Sequence, residues 1–279
     1  MSEKDTTLSP LSLLAVAKLA AQRAAHHALS QRERRGEAKM VARHDVKLVL
    51  DVECQDIATK VILQSFPGHH VLGEEDEESK ILNPKSKTDY EWIIDPIDGT
   101  VNFFHGNPYW CCSVAVRRGS EVLAGCVCAP EMNLVFEATC DSPALRNGIP
   151  IRVSATSRLD RANVHTGADK ATMQKHGEGT MTLQPFRFFS AIALAAQRPR
   201  IFGAAALDIC LVAAGSADAF FEPGLYIWDT AAADLILRQA GGTSALLRHH
   251  SPIRFAYLGS NGHLQRPLEE IVTPLLADV

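Results

Sequence analysis

The sequence predicts a layered α+β / α/β fold, and two stretches carry that prediction. From Trp110 to Val153 short apolar runs recur at hairpin spacing, interrupted by Gly119, by Pro130 to Asn133 and by Asn147-Gly148, the pattern of an antiparallel meander. From Arg200 onward strand-like and helix-like segments alternate, as they do where helices and sheets pack in layers. A soft change of pattern near residue 150 divides the chain into halves, 1–149 and 150–279. At 279 residues it can bury a full core as one large or two closely packed domains.

Taken in order, Ser9-Pro10 opens a helix with a cap residue and a proline at the first helical position. Leu11, Leu14, Ala15, Ala17, Leu19, Ala20 and Ala24 then recur at helical spacing, and the helix fades into a charged, solvated exit at Gln31 to Gly36. His44 to Asp51 reads as a short strand meeting a helix N-terminus at Asp51, where Asp51 can serve as a plain cap. The helix Val52 to Phe66 stops at Pro67-Gly68. Val71-Leu72 is a brief strand into five consecutive acids, Glu74 to Glu78, of which Asp76 to Glu78 read as solvated; the polar loop to Tyr90 reads as mobile. The meander comprises Trp110 to Arg117, Val122 to Cys128, Leu134 to Thr139 and, after the Asn147-Gly148 hairpin turn, Ile149 to Val153. Ser154 to Pro199 shows no clear periodicity. The run from Phe202 opens a helix ending at Ala214, Asp218 to Glu222 is a strand, Asp229 to Gln239 a helix stopped by Gly241-Gly242, and two short strands precede an amphipathic helix from Leu264 to Leu276.

Apolar residues make up 46% and charged residues 22%, ordinary for a soluble globular chain, and no apolar run reaches membrane-spanning length. The net charge of −4 offers no basic footprint for nucleic acid, so an anionic substrate needs local help from a cation or basic side chains. Met1 to Thr7 is polar and lacks the apolar core of a signal peptide; with seven cysteines, an odd number, this points to reduced thiols in a cytoplasm. Cys111-Cys112 and Cys126-x-Cys128 fall in strand-like runs without zinc-finger spacing and read as buried, inert thiols.

Chemistry concentrates in Trp92-Ile93-Ile94-Asp95-Pro96-Ile97-Asp98-Gly99-Thr100. An apolar strand stopped by proline ends in two carboxylates three residues apart, oxygen ligands suited to a hard cation such as Mg²⁺. A helix or turn starting at Gly99 would aim free N–H groups at a phosphate, placing cation and phosphate on one loop. Either dipeptide alone, Asp-Pro or Asp-Gly, would be an ordinary turn. His105 beside Gly106 reads as a structural or surface residue.

The string Asp95 to Thr100 behind Trp-Ile-Ile resembles the first signature of the inositol monophosphatase family. Trp228-Asp229 before an alanine-rich helix and Gly241-Gly242 resembles its second signature, and Gly73-Glu74-Glu75 matches the acidic motif upstream; the likeness runs from about Asp51 to Gly242. It implies a sandwich of alternating α-β-α-β-α layers, a homodimer, and lithium-sensitive hydrolysis of a small phosphomonoester by metal-activated water, with no covalent phosphoenzyme. By the same resemblance Glu74, Asp95, Asp98 and Asp229, with the Ile97 carbonyl, hold two or three Mg²⁺ ions. Glu74 and Thr100 become the catalytic groups, with Asp51, 23 residues before Glu74, orienting the threonine hydroxyl. Substrate contacts fall to Asp98, to the N–H groups of Gly99 and Thr100, to the helix start at Gly203, Ala204 and Ala205, to Arg200, and to Glu222, which accepts hydrogen bonds from substrate hydroxyls. Two departures stand out: Leu48-Val49-Leu50 replaces the usual threonine-bearing approach to Asp51, and Asp141 and Pro143 replace glycines before Asn147-Gly148.

The haloacid-dehalogenase type of phosphatase also carries an Asp…Asp-Gly-Thr string, but needs its second aspartate two residues after the first; here the interval is three with proline between. A non-catalytic, metal-holding regulatory protein on this fold would be expected to lack a ligand, and all four carboxylates and Thr100 are present. Asn102-Phe103 resembles the inositol-phosphate and sugar-bisphosphate members, so inositol 1-phosphate is the expected substrate, with fructose 1,6-bisphosphate, 3′-phosphoadenosine 5′-phosphate and histidinol phosphate as alternatives.

Overall fold

The structure, a computed structural model, describes residues 8–42, 45–76, 88–167 and 186–277. The expectations for His44, for the acids Glu77 and Glu78 with the loop behind them, and for most of the polar stretch after Thr166 lie outside these residues.

Alanine spacing explains the first layer. Helix α1 (Pro10–Ser30) buries Ala17, Ala20, Ala21, Ala24, Ala25 and Ala28, a stripe narrow enough for α2 (Val49–Ser65) to approach until the Cys54 thiol donates to the Ala24 carbonyl at 3.4 Å. Both helices cover one face of a seven-stranded sheet, β3 (His70–Gly73), β4 (Tyr90–Asp98), β5 (Cys111–Arg118), β6 (Glu121–Ala129), β7 (Leu134–Thr139), β8 (Leu145–Arg146) and β9 (Ile149–Pro150), whose strands lie in sequence order. Only β3 and β4 run parallel; the rest is the expected antiparallel meander. Strand β4 is buried on both faces: Trp92 and Ile94 pack with α1 and α2, Ile93 with the helices opposite. Those helices, α5 (Ala205–Ala213) and α6 (Ile227–Gln239), follow the short α3 (Thr100–Phe104) and α4 (Arg187–Ala195) in the chain. Beyond them lies a five-stranded sheet in the order β11 (Arg198–Arg200), β10 (Asn163–Thr166), β12 (Ala219–Tyr226), β14 (Arg254–Ser260), β13 (Thr243–Ser251). Phe188 and Ile192 of α4 and Leu268, Val272 and Leu276 of α7 (Gln265–Leu276) pack on its outer face. The layers therefore alternate α-β-α-β-α, as expected. Among the described residues no helix is long and apolar enough to cross a membrane.

The structure corrects several local expectations. Proline does not end β4: the ladder to β5 breaks after Asp95 and resumes at Asp98 opposite Cys111, because Pro96 has no N–H to give and the strand bulges around it. The charged exit of α1 is partly paired, with the Arg34 guanidinium forked between Glu37 and Glu53 and holding the Glu53 carboxyl down to about 2. A hairpin of β1 (Ala38–Ala42) and β2 (Asp45–Leu48) lies between that exit and α2. Within Ser154 to Pro199, β10, α4 and β11 are regular elements that the sequence pattern did not reveal, because β10 and β11 are short and α4 presents only two buried residues.

Gly125 sets the closeness of the second and third layers. A Cβ there would stand 2.8 Å from the Ala232 Cα of α6. Gly125→Val should therefore cost about 1–3 kcal/mol or more by overpacking, read as a lower urea midpoint with unchanged slope. An unchanged midpoint would mean that the two layers separate without penalty.

Candidate active site

The bulge in β4 organises the site. It brings Asp95 and Asp98, three residues apart, into the buried end of one strand, at 2% and 7% exposure. Asp95 stands opposite Ser113, whose hydroxyl donates to the Trp228 carbonyl at 3.4 Å, so the first signature abuts the second. Glu74 arrives on the adjacent parallel strand, its N–H donated to the Ile94 carbonyl at 3.1 Å. Burial drives the Asp95 carboxyl well above the usual carboxylate range; the charges of Glu74, Asp98 and Asp229, and a hydrogen bond with Glu74, push the same way. Glu74 just past β3, Asp98 at the end of β4 and Asp229 in α6 thus all act on Asp95. Two unit charges about 4 Å apart repel by about 4 kcal/mol at an effective dielectric constant near 20, so such a group requires protons or cations.

Asp98 is held by the far half of the chain. Its Oδ1 accepts the Ala205 N–H at 3.1 Å and its Oδ2 the Ala206 N–H at 2.8 Å, the free amides at the start of α5. The Cys111 thiol donates to Oδ2 at 3.4 Å. Burial still raises this carboxyl to about 7, against the lowering effect of those hydrogen bonds. The helix start that the sequence assigned to substrate is thus engaged in part: the Ala205 amide is taken by Asp98. Ala206 went unnoticed, although it continues the same run of small residues. Gly99 shows why the loop needs glycine. Its φ is +89°, and an added Cβ would stand 3.1 Å from both Ala204 Cβ and the Tyr109 carbonyl and 3.3 Å from the Gly203 carbonyl.

Asp229 and Asp51 are not caps in the expected sense. Helix α6 begins two residues before Asp229, and its Oδ2 reaches back to accept the Tyr226 N–H at 2.7 Å; Asp51 does the same to Leu48 at 2.7 Å at the start of α2. Each is the acid of a helix's first turn. The other oxygen of Asp51 is buried without a hydrogen-bond partner, and burial, with the charges of Glu74 and Glu75 adding, raises the carboxyl to about 8. The structure does not join Asp51 to Thr100. That hydroxyl donates to the Ile97 carbonyl at 2.9 Å, the nearest strong acceptor within its own turn.

Asp76, read as solvated, instead accepts the Gly73 N–H at 2.8 Å and the Gln55 amide at 3.2 Å. Gln55 also accepts the Glu75 N–H at 2.9 Å, and an added Cβ on Gly73 would stand 2.1 Å from its side chain. Gln55 therefore shapes the acidic turn, a role signalled only by a polar residue one turn beyond Asp51. Glu222 is half-buried in β12, its carboxylate over the Gly167 Cα. Arg200 is exposed on the edge strand β11, its guanidinium donating to the Pro199 carbonyl at 3.0 Å. His105 is exposed, edge-on to Phe104.

The donor set suits a hard cation. Asp95 Oδ1 is a buried oxygen without a hydrogen-bond partner, and the charges acting on it are those of the Glu74, Asp98 and Asp229 carboxylates. Among the described residues no three acidic, histidine or cysteine side chains already close around one point as ligands, and Asp95 and Glu74 are hydrogen-bonded to each other.

The sequence profile of the Inositol monophosphatase family matches residues 10–276. The Nus factor SuhB of Vibrio cholerae is 34% identical over 231 residues, 82% of this chain and 83% of that protein. The inositol-1-monophosphatase of Rhizobium meliloti is 32% identical over 224 residues, 80% of each. Among solved structures, the IMPase of Thermotoga maritima superposes with a TM-score of 0.79 at 28% identity, covering 96% of this chain and 99% of that one. With the two signatures, the acidic turn and the layered fold on the same chain, the protein belongs to the inositol monophosphatase family.

Proposed function

We propose that this chain is a Mg²⁺-dependent phosphomonoester hydrolase whose preferred substrate is inositol 1-phosphate. The observation that carries the reading is that the charges of Glu74, Asp98 and Asp229 all act on the buried Asp95, whose Oδ1 lacks a hydrogen-bond partner. These four side chains and the Ile97 carbonyl would hold two or three ions. Bound Mg²⁺ supplies charge neutralisation and Lewis acidity toward phosphate and water. The Thr100 hydroxyl would position the attacking water, whose proton Glu74 would accept, and the Gly99 and Thr100 amides would face the phosphate. For Asp51 to orient Thr100, the hydroxyl has to leave the Ile97 carbonyl. The helix start at Gly203 and Ala204, together with Arg200 and Glu222, flanks the leaving group. A homodimer in a cytoplasm, acting on a small phosphorylated molecule, completes the reading.

The test is a panel of inositol 1-phosphate, fructose 1,6-bisphosphate, 3′-phosphoadenosine 5′-phosphate, histidinol phosphate and p-nitrophenyl phosphate, ranked by kcat/KM with Mg²⁺. Inositol 1-phosphate should lead, with Li⁺ inhibiting in an uncompetitive or mixed manner. Another ester in first place would reassign the substrate within the same chemistry. No turnover of any ester would favour the metal-holding regulatory alternative, which the Nus factor name of the Vibrio cholerae relative keeps in view.

A further inference from the structure

Three polar side chains outside the carboxylate cluster meet, two of them buried and the third, Tyr109, half-buried. Asp208 on α5 is 1% exposed and His165 on β10 is 3% exposed. His165 Nδ1 lies 2.7 Å from Asp208 Oδ1, and the Tyr109 hydroxyl donates to the same oxygen at 2.6 Å. These groups come from three distant parts of the chain, and burying them without partners would be costly. Their location is what gives them a function. Asp208 is in the first turn of α5, the helix whose amides at Ala205 and Ala206 grip Asp98. Tyr109 lies two residues before Cys111, the cross-strand partner of Asp98. Phe202 packs against both the Tyr109 and the His165 rings, at 4.9 Å in each case. The Asn102 amide of α3 donates to the Tyr109 and Phe202 carbonyls at 2.8 and 2.7 Å. Asn102, just past the signature, thus bridges the Tyr109 and Phe202 backbones, while Asp208 joins the Tyr109 and His165 side chains that both pack on Phe202.

We propose that Tyr109, Asp208 and His165 form a positioning triad that fixes the start of α5 against Asp98 and so sets this carboxylate for metal. None of the three touches substrate. The proposal rests on the reading of Asp98 as a metal ligand. If α5 shifts by a few tenths of an ångström, both amides move with it, and Asp98 turns relative to Asp95. The cost then falls on cation binding rather than on recognition of the substrate's hydroxyls.

The experiment measures Mg²⁺ binding by titration calorimetry on the wild-type protein and on Tyr109→Phe, His165→Leu and His165→Gln, beside the metal-free unfolding midpoint. Tyr109→Phe keeps the ring and removes only the hydroxyl donor. It and His165→Leu should each weaken Mg²⁺ binding about 10-fold, in the range for groups that orient a metal ligand. Inositol 1-phosphate and p-nitrophenyl phosphate should lose activity by equal factors at fixed Mg²⁺ and recover at high Mg²⁺. His165→Gln, which retains a side-chain donor, should restore much of the affinity. Unchanged Mg²⁺ affinity in Tyr109→Phe and His165→Leu, beside a wild type that binds Mg²⁺ and hydrolyses esters, overturns the triad alone and leaves a purely structural network. A wild type that neither binds Mg²⁺ nor turns over any ester overturns the phosphatase reading and the triad with it.

Discussion

Asp95→Asn should abolish Mg²⁺-dependent turnover while leaving the fold intact. The loss in kcat/KM should exceed the roughly 100-fold upper range for residues that merely orient a ligand, because the change removes a ligand charge itself. The metal-free protein should respond in the opposite sense. Asp95 is buried and pressed by Glu74, Asp98 and Asp229, so replacing its carboxylate with an amide relieves repulsion and should raise the metal-free unfolding midpoint, or at least not lower it. A pH arm follows from the same cause. Burial holds the Asp98 carboxyl at about 7 and the Asp51 carboxyl at about 8, whereas unfolded aspartates titrate near about 4. Between those limits the folded metal-free protein keeps protons that the unfolded chain has released. Its stability therefore falls as pH rises from about 4 to about 8. Added Mg²⁺ should flatten that decline by supplying the positive charge that protons otherwise provide, and Asp95→Asn should make it shallower without metal. Normal turnover of Asp95→Asn at low Mg²⁺ would remove Asp95 from the metal site.

What could be read from the sequence follows the range of each interaction. The strand into Asp95 was legible because Trp92, Ile93 and Ile94 are packed on both faces and so had to be apolar. The Asn147-Gly148 turn was legible because both residues take positive φ, at 51° and 77°, which few other pairs tolerate. The α5 amides on Asp98 were not legible, since they lie more than a hundred residues away and a backbone N–H carries no sequence signature. The same limit hid the Asp208 pairing with Tyr109 and His165. Asp51 and Asp229 were located correctly as acids at helix starts but misplaced by part of a turn. A first-turn acid and a cap look alike in sequence, and Leu48 and Tyr226, the residues actually standing before these helices, have side chains unsuited to capping. Asp76 was misread because a run of acids says nothing about which one folds back onto its own turn.

Glu222→Gln should separate substrate choice from metal chemistry. The residue sits in β12 seven positions before Asp229, and β12 bulges between Glu222 and Leu225 on its way to α6. Strand phase sets Glu222 on the same side as Phe220, which packs in the core shared with α5 and α6, and opposite to Phe221, which packs with α4 and α7. The carboxylate thus points toward the helix layer that carries Asp229 and the α5 amides holding Asp98, not toward the outer helices. Gly167 leaves room for it: a Cβ there would stand 1.9 Å from Glu222 Oε2, so only glycine admits the carboxylate in this position. If Glu222 flanks the leaving group, as proposed above, its charged acceptor suits a polyol, whose hydroxyls would donate to it. Losing one charge-assisted hydrogen bond costs about 1.5–3 kcal/mol, or about 10- to 150-fold in kcat/KM. Glu222→Gln should impair inositol 1-phosphate hydrolysis by that factor, leave p-nitrophenyl phosphate nearly unchanged, and keep the wild-type Mg²⁺ dependence. Equal losses on both esters would place Glu222 among the groups acting on phosphorus or metal. No loss on either would take the carboxylate out of substrate recognition, and the polyol preference would then have to come from Arg200 or the start of α5.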